Sequence, residues 1–485
     1  MSQRCACVSR PVLFTLAAGM PLAVASGLAH AQAAVEVSAD GLTTADLSGL
    51  RPVSAGWAPR GSAAPFPTTP DQTVQLRRQI GGLQIADIDQ DGNNDLVAVC
   101  YISQSFPAYL DWEDMIFYGT GAGINTTPGW ISAVETHTGD VQVGDVNNDG
   151  WTDIVTIHGG GLRRDTVRVY AGGPGGMPTS PTYTSNTANT GWGTAGVLAD
   201  IDQDGFDELV TTNQGLSPDP FRPMLMFGNN AGTLTTGSIW QSAEQSIQNG
   251  IAAADLNNDG FPDIGVAKWV NFQSGIYLNN AGTLATTPDA TVGTTGTDKG
   301  VAFADIDQDG LMEMAVGGSP TTIYDYAPGA LTPYFTSNPP FSGPQEVMLV
   351  DVNGDGWEDL LEVHFSDGRA HIYINNNGVH SGTPDWTFDA SQVGTSLAFG
   401  DLNGDGLGDL VVGYSGDTCI RVFFQIPQAC PADIDNNGQL NFFDVSGYLA
   451  LYNAQDPAAD LASPFGVWNF FDLSAYLALY NAGCP

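Results

Sequence analysis

The residues with the most evident chemistry are carboxylates at fixed spacing. Seven times the chain places Asp first, Asp or Asn third, Asp fifth, Gly sixth and an acid ninth. The sets are Asp87, Asp89, Asp91 and Asp95; Asp145, Asn147, Asp149 and Asp153; Asp200, Asp202, Asp204 and Glu208; Asp255, Asn257, Asp259 and Asp263; Asp305, Asp307, Asp309 and Glu313; Asp351, Asn353, Asp355 and Asp359; Asp401, Asn403, Asp405 and Asp409. Side chains at 1, 3, 5 and 9, with the carbonyl at 7, put hard oxygens around one cation, and the glycine permits the sharp turn that aims them inward. Calcium suits this set best, since zinc and copper favour nitrogen and sulfur and magnesium keeps more of its water. One Ca2+ per loop is expected, as a structural ion without a catalytic task. Asp433, Asp435, Asn437, Asn441 and Asp444 form a further candidate, an EF-hand-like loop with oxygen donors at 1, 3, 5, 9 and 12. It predicts one more Ca2+, although its twelfth residue is Asp and not the bidentate Glu of sensor loops. A second stretch, Asp460 to Gly466, lacks carboxylates at its third and fifth places, and no ion is assigned to it.

Something must hold these loops, and the sequence around them repeats too. A small-apolar stretch such as Gly300–Ala304 precedes each loop and a β-rich one such as Leu410–Tyr414 follows, so each loop joins two strands. A third strand, as in Gly275–Leu278, runs into a turn (Asn229–Gly232, Asn279–Gly282, Asn375–Gly378), and a fourth leads back. Four short strands in about 50 residues make a propeller blade, which cannot bury its own faces and must stack radially on its neighbours. The expected fold is all-β: a seven-bladed β-propeller over residues 65–427 with a small α-helical EF-hand-like module at 428–485. The last repeat lacks a fourth strand, and Pro67–Val74 resembles the fourth-strand region Thr286–Val292. The N-terminal segment is therefore expected to complete the last blade and close the ring. Closure makes the first and last blades neighbours and predicts a Cys100–Cys419 disulfide, with Cys419–Cys430 as the alternative. After Pro427 a new duplication begins, Asn441–Ala454 matching Asn469–Ala482, and its apolar spacing predicts two short helices opening near Asp444 and Asp472. Cys430 and Cys484 bracket that module and are candidates to bridge its ends.

Composition narrows the function. With 53 Asp+Glu against 14 Lys+Arg in 485 residues, the formal charge is −39, which excludes a nucleic-acid binder relying on basic patches. Arg4 and Arg10 precede an apolar run broken by Gly19, Pro21, Ser26 and Gly27, and Ala29-His30-Ala31 suits a signal peptidase. Residues 1–31 thus read as a signal peptide, 32–64 as a linker, and the protein as secreted, extracellular or at the cell surface, with no transmembrane segment once the leader is removed.

The loops, in contexts such as Ala254–Asp263 and Gly400–Asp409, resemble the FG-GAP/VCBS repeats of integrin α-chain propellers and secreted bacterial proteins. That resemblance spans residues 65 to 427 and implies a calcium-binding seven-bladed propeller used in adhesion or ligand binding. The duplicated tail ending in Gly483-Cys484-Pro485 resembles a GC-type dockerin-like module, which implies attachment to a cohesin-like or cell-surface partner. The function expected is an extracellular binding or adhesion module for polysaccharide or protein. A polysaccharide lyase or glycoside hydrolase is the alternative, with Asp111, Glu113 and Asp114 as the tight acidic cluster outside the loops. Trp130, Trp240 and Trp386, each 15 residues before a loop, read as one repeated packing position. His137, His158, His364 and His371 form no zinc or triad spacing, and Ala171–Gly176 reads as a turn.

Overall fold

The computed structural model describes residues 34–38, 41–46, 66–101, 113–134, 137–158, 167–185, 192–214, 221–229, 231–270, 272–292, 298–338, 343–426, 432, 434, 440–456, 459–462 and 467–482. The chain divides into two compact units, residues 62–428 in one and residues 1–61 with 429–484 in the other.

The larger unit is built from antiparallel four-stranded meanders. The fourth repeat is typical: Ile247–Ala254, Asp263–Trp269, Gly275–Tyr277 and Ala290–Thr291 pair in chain order. Five such sheets span Thr138 to Asp389, and eight further strands form one composite sheet. In the composite, Arg78–Ala86, Asp95–Cys100, Met115–Phe117 and Trp130–Ile131 form one meander, and Val393–Gly400, Asp409–Gly416 and Ile420–Phe423 form the other. Gln72–Val74 pairs with Ile420–Phe423, the closure the sequence predicts, and Ser415 and Gly416 pair with Gln79 and Arg78 across the join.

The first strands of consecutive meanders contact one another in a closed cycle, ending with Val393–Gly400 against Arg78–Ala86. The fold is thus propeller-like. The second strands are the most buried: Asp95–Cys100 and Asp409–Gly416 are buried along their whole length, and Glu208–Gln214 and Asp263–Trp269 at all but the last residue. Among the described residues seven core clusters fill the unit, and each draws on two consecutive meanders. Val97, Val99 and Ile116 pack on Val141 and Ile154, for example, and Val210 and Met226 pack on Ile264 and Tyr277. This is the radial stacking a repeat with two apolar faces requires.

The expected seam disulfide is absent. Cys100 and Cys419 lie buried in one core cluster but both thiols are free. Burial pushes both thiols up, Cys419 to about 11, so each behaves as a small apolar side chain. Cys430 and Cys484, and the leader at 1–31, lie outside the described residues.

Among the described residues of the smaller unit are two helices, α1 (Phe442–Asn453) and α2 (Phe470–Ala482). They open two residues before the expected Asp444 and Asp472, because Asn441 caps α1 by accepting the Phe443 N–H, and Asn469 does the same for Phe471. Tyr448 and Tyr476 stack face to face at 3.9 Å. Their hydroxyls donate to Ala459 O and Ala432 O, so the duplication folds as a reciprocal pair. Ala34–Ser38 and Gly41–Asp46 form a two-stranded sheet.

Candidate metal centres

All seven propeller loops wrap in the same way. The glycine N–H at position 6 donates to the position-1 carboxylate at 2.7–3.0 Å in every loop. The N–H at position 5 donates to the position-3 side chain, and the N–H at position 7 to the position-5 carboxylate. These Asx turns fix the loop side chains against their own backbone, and in five loops both oxygens of the position-1 acid accept N–H bonds, as Asp87 does from Asp91 and Gly92. Position 6 sits near φ +90°, as at Gly92 and Gly260, where only glycine is relaxed.

The ninth residue does more than complete a shell. Asp263 is buried, and it accepts the Leu256 N–H through Oδ2 at 3.1 Å and the Asn279 N–H through Oδ1 at 2.7 Å. Asp95, Asp153, Glu208, Asp359 and Asp409 make the same two bonds, to the second residue of their own loop and to the end of the third strand. Each is a bolt between loop and sheet. Burial pushes Asp95, Asp153, Asp263 and Asp409 up to about 6, and Asp359 and Glu313 up to about 8. The bolting N–H groups oppose the rise, and other acids of the same loop add to it. Two acids, Glu208 and Glu313, are longer than Asp yet still reach the position-2 N–H.

The donor set fits a hard cation. In the loops with Asp at position 3, ligand oxygens of Asp87, Asp89 and Asp95, of Asp200, Asp202 and Glu208, and of Asp305, Asp307 and Glu313 lie within 4.8 Å of one another. Buried Oδ1 atoms of Asp200 and Asp305 accept no hydrogen bond, which is costly for a carboxylate out of water without a cation. The Asn-containing loops at Asp145, Asp255, Asp351 and Asp401 share the wrapping.

Of the C-terminal candidate, Asp433, Asp435 and Asn437 lie outside the described residues. Asn441 is the α1 cap, and buried Asp444 accepts the Ile434 and Asn441 N–H groups at 2.9 and 2.8 Å. Asp472 repeats both bonds with Ala462 and Asn469, although the loop before it lacks the acids.

Among the other candidates, Glu113 pairs with Arg78 at 2.9 Å, Asp114 is buried, and Asp111 lies outside the described residues. The indole N–H groups of Trp130, Trp240 and Trp386 donate to Pro178, Leu284 and Pro67 carbonyls of the following repeat, the packing role expected. Ala171–Gly176 is a turn. The histidines are less scattered than the sequence suggests: His364 and His371 lie 5.1 Å apart between rings, with Glu362 bonded to His364 at 3.1 Å. They sit at or across from the end of a second strand. At that place other repeats bury His158 against Thr138 and Thr156, and Lys268 against Glu244 and Tyr277. No spacing rule links these residues, because strand pairing alone gathers them.

The turns after the third strands also have a use the sequence does not show. Asn229, Asn279 and Asn375 donate to the Val146, Ile201 and Ile306 carbonyls of the preceding loop at 2.8–2.9 Å. They clasp adjacent repeats.

The FG-GAP-like repeat model matches residues 145–211 and 351–412, so FG-GAP-like repeats are present. No curated protein matches the chain. A chain in the crystal structure of BBS1N in complex with ARL6DN, soaked with mercury, is similar at 14% identity and a TM-score of 0.49, covering 73% of this chain and 94% of that one.

Proposed function

We propose that the protein is a secreted, calcium-stabilised seven-bladed propeller that binds an extracellular polysaccharide or protein, attached through its C-terminal module. Seven loops, seven inter-sheet cores and the closed cycle of first strands support the blade count. The single observation that carries the metal is the pair of buried, unbonded oxygens on Asp200 and Asp305 inside three-carboxylate clusters. Calcium held in the loops would rigidify strand-to-strand connections and present the surrounding surface as a binding face, consistent with adhesion. The integrin-like and dockerin-like resemblances supply the class of role and the idea of a docked tail. No helix among the described residues is long and apolar enough to cross a membrane.

A polysaccharide-degrading enzyme is the alternative. Arg78 engages the half-buried Glu113 and Asp114 is fully buried, so these two do not form a solvent-facing pair of carboxylates, which favours binding. The test is binding of the mature chain to a polysaccharide panel with and without calcium, with reducing ends and unsaturated products assayed in the same wells. Binding without product supports the proposal, and product formation replaces it with the enzyme reading. Deleting residues 430–485 and following cell association tests the tail, and unchanged distribution would contradict attachment.

A further inference from the structure

Position 4 of every loop has a left-handed backbone, which costs a non-glycine residue about 1–2 kcal/mol. Two loops meet that demand with Gly354 and Gly404, at φ +74° and +76°. The other five use Gln90, Asn148, Gln203, Asn258 and Gln308, at φ from +55° to +61°. Asn tolerates this region, whereas Gln has no such excuse. Its side chain explains the choice. Gln90 donates to Gly150 O, Asn148 to Gly205 O at 2.7 Å, Gln203 to Gly260 O, Asn258 to Gly310 O at 2.9 Å and Gln308 to Gly356 O at 2.7 Å. In each case the acceptor is the position-6 carbonyl of the next loop. The loops are therefore linked head to tail from the first to the sixth, and the glycines end the belt at the two steps that would reach the seventh loop and return to the first.

The acceptor peptide joins two bonds. Its carbonyl takes the bond from the preceding loop, and its N–H, on residue 7, donates to the position-5 carboxylate of its own loop, as Trp357 does to Asp355 at 3.0 Å. Residue 7 also supplies the carbonyl ligand of such a loop. Position 4 of the preceding loop, for its part, lies between ligand positions 3 and 5. Closing one loop around an ion fixes the donor that positions the next loop's ligands, and bonds in series through one peptide reinforce each other.

We infer that ion occupancy is coupled between consecutive loops from the first to the sixth, with Gln90, Asn148, Gln203, Asn258 and Gln308 as the positioning residues that carry the coupling. The inference rests on the calcium reading above. Because linkage is reciprocal, an ion in either neighbour raises the other's affinity, by about fivefold or more for coupling of ordinary size.

The test is a double-mutant cycle read at one amide. Hydrogen exchange at Trp357 N–H reports closure of the sixth loop as calcium is raised, in the full chain. Asp309→Asn weakens the fifth loop at an exposed position. With Gln308 present, it should raise the calcium midpoint at Trp357 about fivefold. In a Gln308→Gly background, which keeps the backbone conformation native to the sixth and seventh loops, Asp309→Asn should leave the midpoint unchanged. Gly354→Asn should extend the belt, so that Asp355→Asn then shifts the midpoint at Leu407 N–H. If Asp309→Asn never moves the Trp357 midpoint while calcium protects both loops, the coupling is wrong. If calcium protects no loop amide at all, the metal reading itself fails and the coupling with it.

Discussion

Replacing Asp263 by Ala separates the two roles assigned to the ninth loop residue. The change orphans the Leu256 and Asn279 N–H groups, both held by this buried carboxylate at 3.1 and 2.7 Å. An unsatisfied buried donor costs about 1–3 kcal/mol, so the pair costs about 2–6 kcal/mol, and none of that depends on a bound ion. Asp259→Ala provides the contrast. Asp259 is exposed and its partner, the Phe261 N–H, can turn to water, so in chelator its loss should stay within about 0.5 kcal/mol. The assay is hydrogen exchange at Leu256 and Asn279 together with the urea midpoint, each in EDTA and in excess calcium. In EDTA, Asp263→Ala should lower protection of both amides by about 30-fold or more, the equivalent of 2 kcal/mol. In calcium, both variants should lose stability, since each then lacks a ligand. Should Asp263→Ala match the unmodified chain in EDTA, the ninth residue is a ligand alone and the bolt is refuted.

Other outcomes follow from the same geometry. Glu346 is pushed up to about 8 by burial, with the Asp140 charge adding to the rise and the Leu397 N–H opposing it. A carboxyl that holds its proton more tightly when folded favours the native state below its ordinary range and loses that contribution as pH rises toward 8. Glu346→Gln should thus be near neutral at pH 5 and more stable than the parent at pH 9 at fixed calcium. Equal urea midpoints at pH 9 would contradict the burial argument. Cys100 and Cys419 should resist alkylation in the native chain and react in urea, read by peptide mapping, whereas a linked Cys100–Cys419 peptide would restore the disulfide expectation. Tyr476→Ala removes the stacked ring and its bond to Ala432 O, a loss of about 3 kcal/mol or more. It should leave the C-terminal unit open to limited proteolysis while the larger unit stays intact, and an unchanged digestion pattern would count against the Tyr pair as that unit's core.

The sequence displays what repeats by identity and hides what repeats by place. Asp and Gly at 1, 3, 5, 6 and 9 are legible because the loop chemistry admits few substitutes, and the strand sequence follows from the apolar stretches between them. Closure is legible because the missing fourth strand has a look-alike at Pro67–Val74. Position 4 escapes notice because Gln, Asn and Gly alternate there, and only the shared left-handed backbone shows the common demand. The bolt is hidden differently: Asp263 reads as a ligand, and its bonds to Leu256 and Asn279 exist only once the third strand is paired. The buried polar residues at the second-strand ends, from His158 to Lys268 and His364, keep no single residue type. Cys100 and Cys419 show the opposite hazard, since correct placement as neighbours across the join did not make a bond.

The central claim is that these loops hold calcium, and its most direct test is the ion content of the full chain. Equilibrium dialysis against millimolar calcium, with atomic emission counting, should return about seven ions, or about eight if the C-terminal loop binds, and about one fewer for Asp259→Ala. A content near zero at saturation, or an unchanged content in Asp259→Ala, would contradict the account.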